Sequence, residues 1–186
     1  GSSPVWIRKA HGAMRVLLPV IWHSLTHCIA RAFEEEGHEV RVVDWRAHFR
    51  EKKRGQVEGH CIAAAKEFRP EFAFCQFQTH GVISHQFPDL LRKMGCFSVN
   101  WSGDVRHPLP DHYMDLARYF DVTSFTNCTD VDLVRAAGYR SEFLQIGVDT
   151  DVFNTNGADQ RSGVVFLGNN YGSYRFAESA SRRAMV

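Results

Sequence analysis

Polar residues able to do chemistry follow several apolar runs of this chain. Trp22 and His23 follow the first run, Thr79 and His80 the third, Asp104 and Arg106 the fourth, and Asn127 the fifth. A carboxylate or an imidazole is the usual means of moving a proton near neutral pH. Arg106 lies two residues from Asp104, close enough to pair with it or to keep it ionised. Gly103 would let the backbone approach a ligand. Each residue also has an ordinary structural reading: His23 as support for a helix start, His80 beside Gly81 as a turn residue, Asp104 as a turn acceptor, Asn127 as a helix cap.

The elements between these residues decide whether they meet. Apolar runs at 14–21, 39–45, 71–77, 96–101, 122–126 and 142–146 read as strands. Helical patterns alternate with them at 25–36, 56–68, 86–94 and 111–120, and from a capping-box-like Thr129–Asp132 to Gly138. Ser24 reads as the first helix's N-cap, and Leu25, Cys28, Ile29, Ala32 and Phe33 as its inward face. The stretch 46–55 is basic (Arg46, Arg50, Lys52, Lys53 and Arg54 against Glu51) and reads as a solvated loop. A site for an acidic acceptor or a membrane surface is its sharper reading. Strands alternating with helices predict an open parallel sheet of about six strands with helices on both faces. In such a sheet ligands bind beyond the carboxyl ends of the strands, so the loops carrying the polar residues point into one crevice.

The rest of the composition narrows the function. Charge is balanced at +1, which argues against nucleic acid as the partner, and no apolar run is long enough to span a bilayer. The five cysteines are scattered without a C-x-x-C and read as free thiols of a cytoplasmic protein. No G-x-G-x-x-G or P-loop follows a strand, so a dinucleotide cofactor or P-loop chemistry is not expected. None of the ten histidines has zinc-ligand spacing; His107 and His112 are separated by prolines, and no metal is expected. Asp149-Thr150-Asp151 imitates a metal-binding pair but reads as a turn. Residues 1–13 read as a tag or leader ahead of Met14, and the first domain as 14–153. A polar linker at 154–162 follows, then at 163–186 the opening strand and helix of a truncated second domain. Gly168, Asn169 and Asn170 stand where a strand gives way to a helix, a position suited to a phosphate. The apolar residues of 163–186 are expected to pack on the first domain or on a second copy in a homodimer.

The joint Ile146-Gly-Val-Asp-Thr-Asp-Val-Phe153, followed by Val165-Phe-Leu-Gly-Asn-Asn170, resembles the crossing between the two Rossmann-like domains of GT-B glycosyltransferases. Within that fold it most resembles the spore-maturation CgeB-like group, as does Val99-Asn-Trp-Ser-Gly-Asp104. The resemblance implies sugar transfer from a nucleotide-sugar donor to an acceptor, without a metal. Acceptor binding would fall to 14–153, with Asp104 or His80 as catalytic group beside Trp22, His23, Thr79, Arg106 and Asn127. Gly168, Asn169 and Asn170 would lie beside the donor diphosphate. Most of the donor domain has no counterpart in the sequence, so the chain alone is expected to be inactive. The competing reading is a non-catalytic α/β subunit or interaction module that needs a partner chain for the donor site. A small-molecule-binding domain of receiver or periplasmic type is less well supported. A receiver would show an acidic cluster after the first strand, where Trp22 and His23 stand instead.

Overall fold

The computed structural model describes residues 12–21, 24–50, 56–105, 108–145 and 147. Six strands, β1 (Arg15–Val20), β2 (Glu39–Asp44), β3 (Phe72–Cys75), β4 (Phe97–Ser102), β5 (Val122–Phe125) and β6 (Ser141–Phe143), form one sheet. Its order is β2-β1-β3-β4-β5-β6, and every neighbouring pair is parallel. The helices are α1 (Ser24–Glu35), α2 (Trp45–Arg50), α3 (Val57–Phe68), α4 (Gln86–Lys93), α5 (Asp111–Ala117) and α6 (Cys128–Ala136). The chain is thus an α/β fold of Rossmann-like kind, as its alternating pattern predicts.

Strand periodicity divides the core. Val16, Leu18 and Val20 of β1, Phe72 and Phe74 of β3, and Val99 and Trp101 of β4 gather on one face with Ala30 of α1. Leu17, Ala73 and Cys75 turn to the opposite face, against Val57, Cys61 and Ala65 of α3, Phe87 and Leu91 of α4 and Leu116 of α5. A third cluster joins Tyr113 and Ala117 of α5 to Phe125 and to Val131 and Val134 of α6.

Several local readings are corrected. Trp45 does not end β2 but starts α2, and the basic stretch assigned to a loop is helical as far as Arg50. The cause is tertiary: the Trp45 ring is buried, lies tilted against Phe77, and donates Nε1–H to the Gln76 carbonyl at 3.2 Å. In α1, Ala30 rather than Ala32 faces the core, and the helix begins at Ser24 itself. The capping pair of α6 sits earlier than Thr129–Asp132. Asn127 Oδ1 accepts the Asp130 N–H at 2.9 Å, and Asn127 Nδ2 donates to the Asp130 carboxylate at 2.7 Å. Asn competes with Thr as an N-cap, and the carboxylate three residues on holds the Asn127 side-chain amide instead of the backbone N–H that a capping-box Glu would accept.

Candidate functional site

The strand order reverses between β1 and β3, because the chain passes from edge strand β2 over β1 to reach β3. Parallel sheets of this kind bind ligands outside the carboxyl ends of the strands at that reversal. Gln76 occupies this point and is almost entirely buried. Its N–H donates to the Pro19 carbonyl at 2.9 Å, and its Oε1 accepts the Ile21 N–H at 3.3 Å. One side chain therefore ties the end of β1 to the end of β3.

The next strand supplies a second tie. Asn100 of β4 is buried and faces the backbone of Phe77, accepting its N–H at 2.9 Å and donating Nδ2 to its carbonyl at 3.4 Å. Ser102 Oγ reaches the Asp104 carbonyl at 3.4 Å and lies 3.1 Å from the Tyr113 hydroxyl. Thr126 Oγ1 donates to the Gly103 carbonyl at 3.2 Å. These hydroxyl and amide groups fix the loops after β3, β4 and β5 from beneath. A buried polar side chain without such partners would cost about 1–3 kcal/mol.

Two of the sequence-derived candidates lie on the rim that this network supports. His80 and Asp104 are both exposed. The His80 ring approaches His112 edge-on at 6.0 Å, and the His112 ring lies tilted against Tyr113 at 4.5 Å. Tyr113 then meets Ser102, which holds the Asp104 backbone. His80 and Asp104 are therefore connected through three residues on α5 and β4. Thr79 is half-buried beside His80. Asn127 is half-buried and its side chain is engaged in the α6 cap. Trp22, His23, Arg106, Gly168, Asn169 and Asn170 lie outside the described residues, as do the linker 154–162, the segment 163–186 and nearly all of the joint.

Gly103 has a packing task that its sequence does not show. A Cβ there would sit 2.8 Å from Cη2 of Trp101, so the glycine makes room for the indole. The indole Nε1–H donates to the Leu144 carbonyl at 3.1 Å, which joins the turn to the end of β6.

Sequence reasoning missed Gln76, Asn100, Ser102 and His112. A signal existed for the β4 residues. Ser98, Asn100 and Ser102 alternate with apolar residues in a strand expected to be buried on both faces, so each had to find a hydrogen-bond partner.

The thiols stand apart from this rim. Cys61, Cys75 and Cys96 lie in the α3–α4 core. Burial pushes the Cys61 and Cys96 thiols up to about 12 and the Cys75 thiol well above its ordinary value; nearby Glu58, the other thiols and Asp121 with Glu71 add smaller pushes. Such thiols are poor nucleophiles. Among the described residues no group of three or more His, Cys, Asp or Glu could hold a metal ion, and no helix is long and apolar enough to cross a membrane. Compared with known proteins, the chain matches no family model and no curated protein sequence.

Proposed function

We propose that the chain is the acceptor-side part of a GT-B glycosyltransferase of CgeB-like type, which transfers a sugar from a nucleotide-sugar donor to an acceptor hydroxyl. One observation carries the reading: His80 and Asp104, from loops after different strands, share a rim that buried polar side chains hold from below. An acceptor hydroxyl is a poor nucleophile near neutral pH. A carboxylate within hydrogen-bond reach takes its proton as the new bond to the anomeric carbon forms and the nucleoside diphosphate leaves. Asp104 has that role in this reading, with His80 as the second candidate. Thr79, and from the sequence Trp22, His23 and Arg106, line the acceptor side. From the sequence, Gly168, Asn169 and Asn170 take the donor diphosphate. In this reading the chain is cytoplasmic, and it uses neither a metal nor a dinucleotide cofactor.

The competing reading is a non-catalytic α/β module that depends on a partner chain. Asn127 favours it, since its side chain is already used in capping α6. Amide NMR titration with a panel of acceptor sugars and nucleotide sugars separates the two. The glycosyltransferase reading predicts saturable shifts at Thr79, His80 and Asp104 with one class of acceptor sugar, and weak or no binding of nucleotide sugars. Micromolar nucleotide-sugar binding at those three residues would put the donor in the wrong half. Silence with every sugar would favour the module.

A further inference from the structure

At the opposite end of the sheet, where the strands begin, a cleft of about 560 Å³ opens between the ends of α3 and α4. Its walls are of two kinds. Pro70, Leu90 and Met94 are apolar, while Arg15, Lys66 and Arg69 bring positive charge against the single carboxylate of Glu71. Arg15 is already occupied: its Nε donates to the Arg69 carbonyl at 2.8 Å and its guanidinium lies 3.8 Å from the Glu71 carboxylate. Among the described residues no carboxylate pairs with Lys66 or with the Arg69 guanidinium.

Arg69 is also the one described residue other than glycine with a positive φ, at 52°. It follows α3 in the left-handed conformation, its N–H donating to the Ala65 carbonyl. The molecule provides its own controls. The turns after α1, α4 and α6 use the same left-handed region, and each has glycine there: Gly37, Gly95 and Gly138, with φ of 84°, 74° and 86°. Glycine adopts this conformation without steric penalty and arginine does not. Lys66, in the last turn of α3, is explained by the helix dipole. That explanation does not extend to an arginine held in the left-handed region where three other helix ends, closed by Schellman hydrogen bonds that Pro70 cannot make, use glycine. Strain that persists without local benefit points to a task for the side chain.

We infer that this cleft binds a small amphipathic anion, a phosphate or carboxylate head on an apolar body. The head is held by Lys66 and Arg69, and the body lies against Pro70, Leu90 and Met94. Arg15 fixes the rim through the Arg69 carbonyl and leaves the two other cations to the ligand.

The test is amide NMR of the full chain titrated with octyl phosphate, octanoate, inorganic phosphate and octanol at constant ionic strength. Octyl phosphate or octanoate should give saturable shifts at Arg15, Arg69 and Gly95, and the tighter of the two identifies the head group. Inorganic phosphate should bind at least about tenfold more weakly, and octanol should leave the three amides unmoved. Arg69→Gly retains both backbone hydrogen bonds at this position, so it should raise the unfolding temperature while weakening binding by about tenfold, the loss of one charged hydrogen bond. Arg69→Lys should retain binding. No saturable shift with either amphiphile, or unchanged affinity in Arg69→Gly, overturns the site. Equal affinity for inorganic and octyl phosphate overturns the apolar wall.

Discussion

Replacing Asn100 by Ala removes the tie between β4 and the loop that carries Thr79 and His80. Phe77, completely buried, would lose an acceptor for its N–H at 2.9 Å and a weaker donor to its carbonyl at 3.4 Å. An orphaned buried group costs about 1–3 kcal/mol. The short contact should stand near the top of that range and the long one near the bottom. The expected loss is about 2–4 kcal/mol, which for a domain of this size lowers the unfolding temperature by roughly 6–15 °C. Urea unfolding followed by circular dichroism measures it, provided the slope with denaturant is unchanged. Asn100→Asp is the informative companion. Its Oδ1 still accepts from Phe77, but an ionised carboxylate would face the Phe77 carbonyl. Burial raises the carboxyl's folded pKa above its unfolded value, so this variant should be more stable at pH 5 than at pH 8. A loss under 0.5 kcal/mol in Asn100→Ala would refute the idea that buried amides, rather than strand packing, position the rim.

Three further predictions concern the scaffold. Glu58 of α3 accepts hydrogen bonds from the Ser84 N–H, the Ser84 hydroxyl and the Phe87 N–H at 3.0, 2.9 and 3.1 Å, and so caps α4 from a neighbouring helix. Glu58→Ala should cost about 1–2 kcal/mol in urea unfolding, with Gln recovering part of it. Gly103→Ala forces its Cβ against the Trp101 indole and should destabilise by about 1–3 kcal/mol with a shift in tryptophan emission; an unshifted spectrum would contradict the packing. Unfolded thiols ionise near 9.0, whereas folded Cys61 and Cys96 do so only near 12. Stability present below pH 9 is therefore lost as the pH rises toward 12, at up to about 1.4 kcal/mol per pH unit for each thiol. Replacing either cysteine by serine should flatten that slope.

The sheet was legible because its signals are strong and local. Continuous aliphatic strands such as β1, helical spacing in α3, and Gly37, Gly95 and Gly138 after helices all agree with one another. Strand order was not legible, since β1 and β3 become neighbours only through a crossover that no local pattern encodes. Trp45 was misassigned because its aromatic, β-prone character suits a strand, while its deciding contact is the carbonyl of distant Gln76. At the site, exposed residues after strands were easy to select. Gln76, Asn100 and Ser102 were not, because their burial depends on what the other face of the sheet packs against. The packing role of Gly103 was not legible either, because the sequence does not show that the indole of Trp101 folds back over it.

The most direct measurement is turnover of the Asp104→Asn variant of the intact native protein, with nucleotide-sugar donor and acceptor both saturating. Asn is nearly isosteric and Asp104 is exposed, so the fold and both binding steps should survive. Loss of a general base should lower kcat by about 10²-fold or more. Unchanged turnover in Asp104→Asn would contradict the assignment and pass the role to His80.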